Sequence, residues 1–133
     1  MDQQANEKLT AIKRHLIEGM VNYMKIEGVA ESYDSFYDQN HVDRCERYLD
    51  EFAGAIGKAE GDYHQIMALI EEAVIALNKL NEQCSYSLIE TDQREYLCAF
   101  IEEAIIANGV DLDALAASRN CTRHEITDEW REW

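Results

Sequence analysis

The chain contains no proline and only six glycines in 133 residues. With so few breakers, helices end only where a glycine, a capping side chain or a lapse in the apolar pattern ends them, so long helices are expected. No stretch approaches the ~20 consecutive apolar residues that span a bilayer. There is no Gly-x-Ser-x-Gly, no glycine-rich phosphate loop and no Cys–His pair in a nucleophile setting, so a non-enzymatic protein is the expectation. The four cysteines, Cys45, Cys84, Cys98 and Cys121, are widely spaced and form no Cys-x-x-Cys. The polar, acidic opening from Met1 to Glu7 lacks the character of a secretory signal. Together these predict cytoplasmic residence and reduced thiols, with Cys45 and Cys98 serving as small hydrophobes on apolar helix faces.

Cations are scarce as well. Twelve Lys and Arg stand against 27 Asp and Glu, a formal net charge of −15. Such a surface attracts cationic proteins and repels nucleic acid and anionic membranes. An apolar fraction of 47% is ordinary for a folded domain, so the acidity does not signal disorder. The length fits a single domain over 1–133.

Apolar residues recur at helical spacing through most of the chain. Leu9, Ile12, Leu16, Met20, Tyr23 and Met24 predict a first helix over 3–27, closed by Gly28 in a left-handed cap with Val29 folding back. A second, capped by Asn40, spans 41–59 on Val42, Cys45, Leu49, Phe52, Ala53 and Ile56, with Asp43 pairing to Arg47 on its outer face. Its Gly54 and Gly57 either weaken it or admit a neighbouring helix. A third, over 62–83, begins at an Asp62/Gln65 capping box and turns Ile66, Met67, Ile70, Val74, Leu77 and Leu80 inward. A fourth begins at Thr91, stapled by Ile89, buries Leu97, Phe100, Ile101, Ala104 and Ile105, and stops at Asn108-Gly109-Val110. A short fifth follows over 111–118, then a polar stretch, then a final turn capped by Thr127. The fold class is all-α: an antiparallel bundle of four main helices plus short C-terminal helical additions.

Three constellations have chemical content. His41 and Cys45 share a helical face, and Cys121-x-x-His124 is a second His/Cys pair, but a zinc site needs three or four convergent ligands. The paired carboxylates Glu71-Glu72 and Glu102-Glu103 lack the Glu-x-x-His of four-helix metal sites and fit solvated faces. No metal or cofactor is therefore expected, and a helical metal-binding protein remains an alternative. The third is aromatic and acidic. Tyr33, Phe36 and Tyr37 alternate with Glu31, Asp34 and Asp38, and Trp130 and Trp133 stand three apart among acids near the C-terminus. Aromatic anchors beside carboxylates suit a steered complex with a basic protein, so these eight residues are the predicted partner-binding set. The competing reading folds the tyrosines over the helix ends and docks the indoles on the bundle. A nucleic-acid mimic is a further alternative, but Arg14, Arg44, Arg47, Arg94, Arg119 and Arg131 interrupt any phosphate-like rail of acids.

In this combination of small size, acidity, helical pattern and aromatic-acidic loop, the chain resembles the immunity proteins of bacterial toxin systems. The segments Leu80-Asn81-Glu82-Gln83-Cys84, Leu88-Ile89-Glu90-Thr91-Asp92-Gln93-Arg94-Glu95 and Ile126-Thr127-Asp128-Glu129-Trp130-Arg131-Glu132-Trp133 are also similar to small bacterial proteins. The resemblance implies that the chain binds and neutralises a basic cognate toxin domain inside the producing cell, without direct contact to nucleic acid or membrane. It assigns no individual residue a role.

Overall fold

Helical periodicity becomes four main helices: α1 (Gln3–Glu27), α2 (Gln39–Lys58), α3 (Tyr63–Gln83) and α4 (Thr91–Ala107). A short α5 (Leu112–Ala117) and a 3-10 turn (Arg123–Glu125) follow. The computed structural model describes residues 3–27 and 37–133, with side chains of 25–27 excepted. The predicted Gly28 ending of α1 lies outside the described residues. Among those described there is no strand, and no helix is long and apolar enough to cross a membrane.

Aspartates start three of the helices. Asp38 accepts from the backbone N–H groups of Asn40 and His41, Asp62 from Gln65 and Asp111 from Ala114. Each side chain satisfies donors that have no partner within the helix. The cap of α2 is therefore Asp38, two residues ahead of the predicted Asn40. At the end of α4 the predicted stop forms. Gly109 has φ +79, its N–H reaches the Ile106 carbonyl, and the Val110 N–H reaches Ile105. This is a Schellman ending, and it needs the left-handed conformation that glycine adopts without strain.

Long-range contacts set the helix directions. Lys8 pairs with Glu103 at 2.7 Å, and His15 stacks on Tyr96 at 5.9 Å, so α1 and α4 are antiparallel. Lys13 of α1 binds Asp50 and Glu46 of α2, and Arg44 of α2 reaches Gln83 of α3. The bundle runs up, down, up, down. Its interior is the predicted set: Leu16, Met20, Val42, Cys45, Leu49, Ile56, Ile66, Ile70, Val74, Leu77, Leu97, Ile101 and Ile105 are buried to within 1% exposure. Tyr23 departs from the prediction and stands 40% exposed on the outer side of α1. Gly19 allows α1 to approach α4 closely, because a Cβ there would meet the Gln93 side chain at 3.0 Å. Gly57 similarly faces Asn108, whereas Gly54 faces open space. Arg47 turns forward to Glu51 rather than back to Asp43.

The C-terminal segment acts as an extra stave between α3 and α4. Buried Asn78 of α3 donates to the Trp130 carbonyl at 2.8 Å and accepts from the Glu132 N–H at 3.0 Å. An asparagine amide has one donor edge and one acceptor edge, so it pairs with extended backbone as another peptide unit would. On the other side, Arg131 lies 3.9 Å from the Cys98 sulfur of α4, and His124 faces Glu102 at 3.3 Å. One turn further along α3, Asn81 accepts from the Ile89 N–H and ties down the α3–α4 connector.

Candidate protein-binding groove

A four-helix bundle has four outer seams, and three of these are closed. Lys8–Glu103 and the His15–Tyr96 stack bridge α1/α4. Lys13 bridges α1/α2. The C-terminal segment fills α3/α4. The α2/α3 seam differs. Among the described residues no ion pair crosses it, and its one side-chain hydrogen bond, Arg44 to Gln83 at 3.0 Å, sits at its upper end.

Two hollows occupy this seam, a lower one of about 290 Å³ and an upper one of about 450 Å³. They share Tyr48, Glu72 and Ala76 and so form one continuous groove. The floor is apolar and low, made by Phe52, Ala55, Leu69, Ala73 and Ala76. Small alanines keep it open where larger side chains would interdigitate and close it. Ile75 stands 39% exposed at the upper hollow.

Charge varies along the groove. Glu51 and Glu72 rim its lower part, and Glu71 joins Glu72 above. Arg44 and Lys79 mark the upper end. Glu71 and Glu72 have no cation within salt-bridge distance among the described residues, while Glu51 has only a 3.7 Å contact to Arg47 on its own helix. Beyond the upper end, the α3–α4 connector holds Tyr86 at 63% exposure, with the positive φ of 62 that a bulky residue rarely adopts.

Comparisons with protein-family models, curated proteins and solved structures find no match for this chain.

The four described members of the predicted aromatic-acidic set, Tyr37, Asp38, Trp130 and Trp133, do not form one exposed site. Glu31, Tyr33, Asp34 and Phe36 lie outside the described residues. Tyr37 is a core residue, 3% exposed, whose hydroxyl donates to the Met20 carbonyl at 2.7 Å. It is thus a structural side chain and not the surface anchor predicted. Asp38 is exposed but engaged as the α2 cap. Trp130 and Trp133 are half-buried against the core, with the Arg131 guanidinium 5.4 Å from the Trp133 ring centre. Both indoles thus pack their own segment against the core, as in the competing reading of the sequence, and each keeps part of its surface open. The residues that sequence reasoning missed are the groove alanines. Their signal was present as small side chains recurring beside the α3 core stripe, but alanine reads equally well as helix filler.

The His/Cys pairs sit apart. His41 Nδ1 accepts from the Asp38 N–H, Cys45 is fully buried, and Cys121 and His124 lie at the C-terminal 3-10 turn. Among the described residues no group of three or more His, Cys, Asp or Glu gathers to hold a metal ion.

Burial pushes the Cys45 thiol up to about 12 and the Cys84 thiol to about 11, from an ordinary value of 9.0. Burial also raises the Cys98 and Cys121 thiols, but these two are only half-buried, so a disulfide reagent at mildly alkaline pH should modify them in the native protein, and Cys45 and Cys84 only after denaturation. Four fast-reacting thiols in the native state would contradict this burial. The linkage runs the same way. The unfolded chain ionises these thiols near 9 and the folded chain does not, so their contribution to stability is complete below that pH and is lost as pH rises toward 11 to 12.

Proposed function

We propose that this chain is a non-enzymatic acidic protein that binds and neutralises a basic cognate protein, in the manner of an immunity protein, with the α2–α3 groove as its contact face. The observation that carries this reading is the coincidence of two properties. The protein has a net charge of −15, and the α2/α3 seam, which no ion pair crosses among the described residues, has an apolar floor beside Glu71 and Glu72, neither of them in a described salt bridge. Apolar floor area supplies affinity, while surrounding acids steer a cationic partner toward it. A basic toxin domain is the partner whose chemistry fits both.

The test begins with capture from the source cell at low salt, followed by purification of the captured protein and titration against this chain. The expected partner is basic, and its affinity falls at least about tenfold as salt rises from roughly 0.05 to 0.5 M, because screening shortens the reach of surface charge. Expression of that partner alone should arrest growth, and co-expression of this chain should relieve the arrest. A neutral or acidic partner bound with no salt dependence would refute the proposal.

A further inference from the structure

We infer that the α2–α3 groove receives one amphipathic helix of the basic partner, about four turns long, running parallel to α3. This rests on the proposed function and specifies the element that the partner contributes. Length comes from the groove itself. On α3 it extends from Ala68 to Gln83, and at 1.5 Å per residue that is about 22 Å, the span of a helix of about 15 residues. Shape comes from the floor. An apolar floor kept low by Ala55, Ala73 and Ala76 between two antiparallel helices accepts a third helix laid along the seam, with apolar residues at i, i+4, i+7 and i+11 pointing down.

Direction comes from charge. The lower groove is acidic at Glu51 and Glu72, and the upper end is basic at Arg44 and Lys79. A helix carries partial positive charge at its N-terminus and partial negative charge at its C-terminus. Its N-terminal half, with lysines or arginines flanking the apolar stripe, therefore belongs beside Glu51 and Glu72, and an acidic C-terminal turn belongs beside Arg44 and Lys79. That places its N-terminus at the same end as the N-terminus of α3. The reverse orientation sets like charges together at both ends.

A synthetic peptide of about 15 residues tests this, with leucines at the four stripe positions, lysines flanking the first two turns and glutamates in the last turn. Titrated into isotope-labelled protein, it should become helical and shift amide resonances in 44–55 and 68–83. A spin label at its N-terminus should broaden Phe52, Ala55 and Leu69 more than Arg44 and Lys79. Glu72→Lys, on an exposed position, should weaken binding at least about tenfold, and Ala76→Trp, which fills the floor, by a similar factor.

A control peptide of the same composition with its leucines scattered separates this inference from the function beneath it. If the control binds as well, or the shifts fall elsewhere, the helix-in-groove inference is overturned while the attraction to basic proteins stands. If neither peptide binds at low salt, both fall. A free protein that sediments as a dimer, dissociated by Ala76→Trp, would show that a second copy covers the seam and would also overturn the inference.

Discussion

Tyr37→Ala is expected to destabilise the protein by about 3–5 kcal/mol, the cost of truncating a large buried aromatic. Tyr37 is 3% exposed within the core cluster, and its hydroxyl donates to the Met20 carbonyl of α1 at 2.7 Å. The side chain thus fastens the start of α2 to the last third of α1. Tyr37→Phe keeps the ring and removes only the hydroxyl, so it should cost about 0.5–1.5 kcal/mol, the net value of one hydrogen bond. Urea unfolding monitored by far-UV circular dichroism would measure both. The contrast matters because the sequence alone suggests Tyr37 as a surface anchor. An anchor would give a Tyr37→Ala variant of normal stability and weakened partner binding, and that outcome would show the buried placement to be wrong.

The second large effect is expected at Asn78. Asn78→Ala removes both hydrogen bonds that hold the C-terminal segment to α3, at 2.8 and 3.0 Å, and leaves the Trp130 carbonyl and the Glu132 N–H without their partner. Losing two hydrogen bonds and stranding two part-buried backbone groups should cost about 2–4 kcal/mol. For a chain of this size that lowers the melting temperature by roughly 10 °C. The loss should begin locally, since the segment can lift off before the bundle opens. Trp130 and Trp133 are the chain's two tryptophans, so their fluorescence reports this release directly. The variant should show red-shifted emission and faster tryptic cleavage after Arg131 at temperatures where the helices remain folded. Unchanged emission with full loss of stability would mean that Asn78 supports the bundle rather than the segment. Release would also uncover α3 on the side opposite the groove, so partner binding at the groove should survive at temperatures below the new transition.

The candidate groove was only partly legible in advance. The charge surplus and the lack of catalytic motifs suggest a basic protein partner, and the aromatic residues near helix ends are the candidates a sequence offers, because aromatics dominate interface energetics. The structure assigns the three of those rings that it describes to internal packing. It leaves open instead a strip floored by Ala55, Leu69, Ala73 and Ala76, whose significance depends on what does not lie over them. Helix periodicity marks which face of α3 is most apolar. It does not tell whether the adjoining face meets a neighbouring helix, a chain segment or solvent.

The sequence by itself determined the helices and their inward faces. Stripes such as Ile66-Met67-Ile70-Val74-Leu77-Leu80 and stops such as Asn108-Gly109-Val110 act within a few residues of themselves, through 3.6-residue periodicity and local hydrogen bonding. Tertiary structure decided the rest. That Asn78 grips residues 52 and 54 positions away, that Tyr37 turns inward and that no ion pair crosses the α2/α3 seam among the described residues are consequences of which elements meet. Such pairings arise from shape and charge matching between segments far apart in the chain, and no local pattern encodes them.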